Sequence, residues 1–96
     1  MFDEKAVAKW FSSAGAGDRL GRFRLGFADV EVFDEVSTEQ VVRDTIAEFE
    51  VKGGEVIHPV RVALSGRTTG PGLFEMIAVL GRERCLARLD RALGMV

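Results

Sequence analysis

The sequence predicts a small, mainly helical fold that forms a single domain over residues 1–96, with one segment, residues 56–65, whose pattern fits either a helix or a strand. Apolar residues recur at spacings of three and four through most of the chain, which is the period of helices with one buried face. Capping residues and glycines divide this pattern into short helical segments. A chain of 96 residues is long enough for one small domain with a modest core.

Two helices are predicted in the N-terminal third of the chain. The first spans residues 2–12, with Asp3 as its N-cap. The second runs from Asp18, again as N-cap, to Ala28. Their buried faces are predicted to carry Val7, Trp10 and Phe11 in the first helix and Leu20, Phe23 and Phe27 in the second. Because apolar residues flank Trp10, we interpret it as a core residue rather than as a stacking platform for a base.

An acidic and apolar stretch, residues 29–36, separates these helices from the third. Its alternation suggests a strand, but no partner strand is evident, so we interpret it as an extended linker or a short helical turn pinned by Phe33. The capping box Ser37–Gln40 predicts the start of the third helix, and the Gly53–Gly54 pair predicts its end. The buried face of this helix is expected to contain Val42, Ile46 and Phe49.

Residues 56–65 fit two patterns. The side chains of Val60, Val62 and Leu64 alternate with more polar ones, which favours a strand. Alternatively, His58 is an N-cap, Pro59 the first helical residue and Gly66 the stop, which favours a helix. The pattern alone leans slightly to the strand.

Two further helices are predicted after this segment. The fifth begins with Pro71 at its first position and ends near Gly81. The sixth covers residues 82–93 and is closed by Gly94. Their inward-facing residues are predicted to be Leu73, Phe74, Ile77 and Leu80 in the fifth helix and Leu86, Leu89 and Leu93 in the sixth.

Charge is distributed unevenly around a net value of −2. Residues 1–57 carry 7 basic and 12 acidic side chains, whereas residues 58–96 carry 6 basic and 3 acidic ones. All basic residues of the second part are arginines, which stack on bases and bind phosphates bidentately. A solvated helix face is the alternative explanation for several of the last four arginines. The six arginines of residues 58–96 are Arg61, Arg67, Arg82, Arg84, Arg88 and Arg91.

The segment 61–72 concentrates two arginines, two threonines and several glycines around one proline. Glycine lets the main chain approach a ligand closely, and the hydroxyls and guanidinium groups suit phosphates and base edges. The segment contains neither GxGxxG nor GxxxxGK[ST], so it is not a nucleotide-binding fingerprint. A simple corner between two helices remains the alternative.

The run HPVRVALSGRTTGPGLFEMIAVLGRERCLARLDRAL, residues 58–93, resembles the C-terminal anticodon-binding domain of bacterial-type glutamyl-tRNA synthetases. That family carries a P-[LV]-R-V-A-L-[TS]-G-R run, a GP-G-LF turn and an LG-[KR]-ER-x-L-x-RL helix. The upstream segments FDEKAVAKW and VKGGEVIHP are also similar to the family. The resemblance is strongest over residues 52–93 and weak over residues 13–36. Since this family domain is all-helical, the resemblance implies a helix over residues 56–65 and, with it, an all-α fold, a small multi-helical bundle of about six helices.

The resemblance also implies a function, recognition of the anticodon arm of tRNA(Glu) as the C-terminal domain or a detached part of a glutamate–tRNA ligase. Family contacts come from the Arg of the PxRVAL run and from the turn into the GLF helix. Some members have Thr where this chain has Gly70, so a hydroxyl contact is lost here or moves to Thr69. The predicted tRNA-binding residues are Arg61, Arg67, Thr69, Gly70, Pro71, Leu73 and Phe74.

Catalysis by this chain alone is not expected. Its one histidine, His58, and its one cysteine, Cys85, do not form a familiar metal-binding or nucleophilic pattern. The HIGH-type and KMSKS-type motifs of class I synthetases are missing. The resemblance therefore implies no cofactor in this chain, with ATP and magnesium bound by the catalytic domains of a parent ligase. Cys85 is interpreted as a small buried hydrophobic residue without reactivity.

The expected partners are tRNA(Glu) and the catalytic domains of a synthetase, and neither DNA nor a membrane. The lone cysteine and the absence of a signal pattern at the N-terminus predict a cytoplasmic location. The alternative function is a synthetase-derived helical module for protein interaction or structure that no longer binds tRNA. The net negative charge and the diverged residues 13–36 support that alternative.

Overall fold

The computed structural model describes residues 4–12, 15–66 and 72–95, and within these ranges the chain forms helices and no strand. The all-α prediction is therefore confirmed. Asp3 and Pro71, predicted at the starts of the first and fifth helices, lie outside the described residues. The helices are α1 (Glu4–Trp10), α2 (Ala16–Ala28), α3 (Glu35–Phe49), α4 (Gly54–Ser65), α5 (Leu73–Leu80) and α6 (Arg82–Leu93).

Helix α4 lies at the centre of the bundle, because it packs against all five of the other helices. Its buried side chains cover most of its circumference and include Val56, Pro59, Val60, Val62, Ala63 and Leu64. A helix that is apolar on nearly all sides is typical of a buried position. This position accounts for the ambiguous pattern of residues 56–65, since valines on several faces of one helix imitate the alternation of a strand.

Helix α4 begins at Gly54, so the prediction that it starts with His58 as N-cap and Pro59 as first residue is wrong. Pro59 lies inside the helix and has no N–H to donate to the carbonyl of Glu55 one turn earlier. The guanidinium of Arg19 in α2 donates to this carbonyl instead, with a distance of 3.1 Å from Nε to the oxygen. The predicted stop is confirmed, because Gly66 takes a left-handed conformation with φ of 83°.

Helix α2 begins two residues before the predicted Asp18, which lies in its first turn. The residue before the helix is Gly15, whose φ of 80° is accessible to glycine at little cost. The predicted buried stripe is correct, since Leu20, Phe23 and Phe27 are all buried. Ala16 and Arg19 extend the same stripe.

Helix α3 starts earlier and ends earlier than predicted. Asp34 is the N-cap, and its carboxylate accepts a 2.7 Å hydrogen bond from the backbone N–H of Ser37, the residue predicted to be the cap. At the other end Glu50 takes the left-handed conformation with φ of 52°, so the Gly53–Gly54 pair does not end this helix. The linker before α3 is held by Phe33, as predicted, through an edge-to-face contact with Phe27 at 5.4 Å between ring centroids.

Helices α5 and α6 follow the predicted pattern closely. They meet at Gly81, whose φ of 81° and ψ of 163° form a conformation that is essentially restricted to glycine. The bounds of α6 are those predicted, and Leu89 is fully buried, whereas Leu86 and Leu93 are partly buried against the core. No helix in the described ranges combines the length and the apolar character required to cross a membrane.

Candidate nucleic-acid interface

Arg61 lies on the least buried side of α4, near the end of the helix. His58, one turn earlier, and Ser65, one turn later, share this side and are also half-buried. The hydroxyl of Ser65 donates to the carbonyl of Arg61 at 2.8 Å. The helix stops at Gly66, directly before the predicted tRNA-binding loop. The backbone therefore places Arg61 about one turn before the end of α4, which leads into that loop.

The described part of the predicted site beyond the loop is the first turn of α5. Leu73 is only 4% exposed and belongs to the core, so its side chain is not available to a ligand. Phe74 is half-buried and lines a small cavity of about 110 Å³ together with Phe33, Thr38 and Ile77. Phe74 is thus an apolar residue of this turn whose side chain is partly accessible.

Four of the predicted site residues lie outside the described ranges. They are Arg67, Thr69, Gly70 and Pro71. The structure places the two described residues that flank them, Gly66 at the end of α4 and Gly72 before α5.

An aromatic pair joins α1 to the side of α4 that carries Arg61. The rings of Trp10 and His58 stack at 4.7 Å between centroids with an interplanar angle of 27°. The ammonium group of Lys9 lies 5.0 Å from the centroid of the Trp10 ring. A Cβ at Gly54 would lie 3.1 Å from Cδ2 of His58, so glycine at this position leaves room for the imidazole. Trp10 packs against the core, which is the role the sequence suggested for it.

The C-terminal arginines divide into two groups that the sequence did not separate. Arg84 and Arg91 are exposed, as expected for a solvated helix face. Arg82 and Arg88 are half-buried and donate to backbone carbonyls of other segments. Arg88 Nη1 lies 2.6 Å from the carbonyl oxygen of Leu64 in the last turn of α4.

Arg82 holds the linker between α2 and α3 against the start of α6. Its Nη2 donates to the carbonyl of Val30, and its guanidinium carbon lies 5.4 Å from the ring centroid of Phe33. Sequence reasoning considered bases, phosphates or solvent for these arginines, but Arg82 and Arg88 bind the protein's own backbone. Arg82 and Arg88 therefore stabilise the fold through hydrogen bonds to backbone carbonyls.

One ion pair connects the surface of α6 to α2. Arg24 Nε and Nη2 donate to the two carboxylate oxygens of Asp90 at 2.8 Å and 3.2 Å. These hydrogen bonds lower the pKa of Asp90 below its ordinary value. The pair neutralises one of the acidic residues in the otherwise arginine-rich α6.

A family profile described as an anticodon binding domain matches residues 1–93 of the chain. The chain belongs to this family. The match covers all six helices, including the less similar segment around α2.

Relatives of this anticodon-binding domain are much longer proteins. The chain is 47% identical to a glutamate–tRNA ligase of Desulforudis audaxviator, over 99% of the chain and 19% of the ligase. It is 37% identical to glutamate–tRNA ligase 2 of Thermoanaerobacter pseudethanolicus, over 99% of the chain and 20% of that ligase. The chain therefore spans about one fifth of the length of these relatives.

The helical arrangement of the domain also matches a solved structure. A glutamate tRNA ligase from Elizabethkingia meningosepticum, crystallised with its amino acid, superposes with a TM-score of 0.87. The superposition covers 97% of the chain and 18% of the ligase, at 22% sequence identity. At this level of identity the likeness establishes the fold.

The anticodon-binding domain presents a different surface on α2 and α3. An open groove of about 670 Å³ runs between these helices and is lined by apolar, acidic and arginine side chains. Leu25, which lines the groove, is 64% exposed.

Within the described residues, no three His, Cys, Asp or Glu side chains are grouped as metal ligands. The thiol of Cys85 is buried in the core, and this burial raises its pKa to about 11.

Proposed function

We propose that this domain binds the anticodon arm of tRNA(Glu) as part of a glutamate–tRNA ligase. The observation that carries the proposal is the match of residues 1–93 to the anticodon-binding family, together with ligase relatives in which the matched part is about one fifth of the protein. On this proposal residues 1–96 form a single binding domain. Aminoacylation, with its ATP and magnesium, takes place in the remainder of the ligase.

The proposed contact surface is centred on Arg61 and the loop that follows α4. Anticodon bases are unstacked from their neighbours when a protein binds them, and their edges are then held by side-chain and backbone hydrogen bonds. A guanidinium near the end of a buried, rigid helix is suited to a base edge because its donors form a planar fork. Phe74, in the first turn of α5, supplies a partly accessible apolar surface. The proposed contacts are Arg61, Arg67, Thr69, Gly70, Pro71, Leu73 and Phe74, with Leu73 contributing through its backbone.

Arg61→Gln tests the central contact of this proposal. The affinity of the chain for an RNA hairpin with the tRNA(Glu) anticodon arm should fall by about 1–3 kcal/mol, the range for a good base-edge contact. The melting temperature should stay nearly constant, because the packing of α4 depends on its apolar sides. The loss should be smaller for a hairpin changed at the contacted base, since that contact is already missing.

Arg84→Gln is the matched control, because Arg84 is exposed on α6 and carries the same charge. It should weaken all hairpins by the same small factor. If Arg61→Gln lowers the melting temperature and weakens every hairpin equally, Arg61 is a structural residue and the proposed recognition surface is wrong.

A second candidate function is a protein contact through α2 and α3. The groove between them, the exposed Leu25 and the acidic character of residues 1–57 favour it. This surface differs from the one around Arg61, so the two functions respond to different mutations. A Leu25→Asp variant that retains full RNA affinity assigns the groove to a role other than RNA binding.

A further inference from the structure

We propose that Arg19 and Arg88 are positioning residues, which fix α4 at two points and thereby set where Arg61 meets the RNA. The proposal rests on the proposed function, and it adds two residues that do not touch the ligand. Both belong to helices that flank α4, Arg19 to α2 and Arg88 to α6.

Arg19 replaces a hydrogen bond that Pro59 withholds from α4. In an uninterrupted helix the N–H of residue 59 would donate to the carbonyl of Glu55. Proline has no such N–H, and Arg19 Nε donates to this carbonyl from 3.1 Å. Arg19 is only 7% exposed, so its charged donor is held in a largely water-excluded position. The carbonyl of Glu55 would cost free energy if it had no donor in such a position, so the hydrogen bond from Arg19 stabilises this turn of α4.

Arg88 supplies the corresponding bond near the other end of α4. The carbonyl of Leu64 lies in the last turn, where helix carbonyls have no partner within the helix. Arg88 Nη1 donates to it from 2.6 Å, across a separation of 24 residues in the chain. Hydrogen bonds from charged donors are shorter and stronger than neutral ones.

Arg61 lies between these two attachment points, because the acceptors belong to Glu55 and Leu64 of the same helix. The buried sides of α4 consist mainly of valine, alanine and leucine, whose contacts are non-directional. Hydrogen bonds are directional, with short donor–acceptor distances, and weaken steeply when their angle departs far from linear. The two arginines therefore add directional constraints on the axial position and rotation of the closely packed α4, and with them on the direction in which Arg61 leaves the helix.

A simpler role for the two arginines is to satisfy buried carbonyls and to stabilise the fold without affecting recognition. The two roles differ in their coupling to Arg61. A positioning residue acts through Arg61, so its loss has no further effect on binding once Arg61 has been replaced. A purely stabilising residue affects folding but leaves the affinity of the folded protein unchanged.

A double-mutant cycle between Arg88 and Arg61 distinguishes these roles. We would measure the dissociation constant of the full 96-residue chain for the tRNA(Glu) anticodon-arm hairpin at low salt. Arg88→Met, which keeps the apolar stem, should raise the dissociation constant by about fivefold or more in the wild-type background. In the Arg61→Gln background the same change should have an effect of about twofold or less, the error expected for uncoupled sites. Arg88→Lys retains a charged donor group for the carbonyl of Leu64 and should recover part of the affinity.

Arg84→Met is the control in both backgrounds, because it removes an exposed arginine from the same helix. Its effect should be the same whether or not Arg61 is present. Circular dichroism at the assay temperature establishes that each variant is folded. If Arg88→Met is unfolded, Arg88→Lys and Arg19→Lys take its place in the cycle.

The outcomes separate the proposal from the function on which it rests. Equal effects of the Arg88 substitution in both backgrounds, or unchanged affinity of the folded variants, overturn the positioning role but leave RNA recognition intact. Failure of the wild-type chain to bind the hairpin contradicts the proposed function itself, and the positioning role falls with it.

Discussion

Replacement of Leu89 by alanine tests the packing of α6, the helix that holds Arg88 in place. Leu89 is 0% exposed, and α6 packs against α2, α4 and α5. The substitution removes three buried carbon atoms, at about 0.8 kcal/mol each for transfer, which gives roughly 2.4 kcal/mol before any cavity. The cavity adds to this loss, so the free energy of unfolding should fall by about 2–5 kcal/mol. A domain of this size has a total of about 5–14 kcal/mol, so the change is large.

Urea titration followed by circular dichroism measures this loss, with melting curves as a second measure. A loss of about 3 kcal/mol corresponds to a decrease of about 12–24 °C in melting temperature for a domain of this size. Val79→Ala is the control, because Val79 is 84% exposed in α5 and its loss should be within about 0.5 kcal/mol. A loss below about 0.5 kcal/mol for Leu89→Ala would contradict the placement of this face of α6 in the core.

Further predictions concern the helix ends, a glycine inside α2 and the buried thiol. The cap hydrogen bond from Ser37 lowers the pKa of Asp34. The stabilisation that this bond provides is therefore present above the unfolded pKa of about 3.9 and is lost as pH falls through the lower folded pKa. The Asp34→Ser variant should retain the cap, and its melting temperature should fall less at acid pH than that of the wild-type chain. Gly81→Ala should destabilise the domain by about 1–3 kcal/mol, because alanine is strained at φ of 81° and ψ of 163°. Gly21→Ala should instead stabilise the domain by about 0.5–1 kcal/mol, because Gly21 lies in the interior of α2, where glycine is less favourable than alanine. The thiol of Cys85 should react with a thiol reagent at neutral pH only as fast as the protein unfolds, since burial raises its pKa to about 11, and rapid reaction in native buffer would contradict this.

The sequence predicts the helices that have one buried face more accurately than the helix that is buried nearly all round. In α2 the apolar residues repeat on a single stripe, and the predicted inward residues are correct. In α6 the predicted Leu89 is buried beside Cys85 and Ala92, whereas Leu86 and Leu93 are only partly buried. In α4 most positions are apolar, so the period that distinguishes helix from strand is lost. The resemblance to a helical family, rather than the pattern, gave the correct assignment there.

Helix ends were harder to predict because several residues in succession can act as caps. The capping-box pattern at Ser37 is present, but Asp34 lies three residues earlier and provides the carboxylate that accepts from the N–H of Ser37. The glycine pair 53–54 was a reasonable stop signal, yet Glu50 takes the left-handed conformation and the glycines lead into α4. Local propensity does not determine which of two neighbouring caps is used.

Arg19 and Arg88 carry a sequence signal that was not used. Each occupies the i+3 position of a buried stripe, Arg19 after Ala16 and Arg88 after Cys85. A charged side chain on an apolar stripe is costly unless it is paired, so its presence indicates a buried acceptor. The identity of the acceptor depends on the packing of distant helices and is not contained in either stripe.

Titration of the chain with tRNA(Glu) over a range of salt concentrations tests the central claim most directly. We expect an isolated domain of this size to make about three to five phosphate contacts, so the logarithm of the association constant should fall with the logarithm of salt concentration at a slope of about −2 to −4. A tRNA with altered anticodon bases should bind about tenfold more weakly at every salt concentration, because one base-edge contact is lost. Equal affinity for both tRNAs, or no salt-dependent binding at all, would contradict anticodon recognition by this domain.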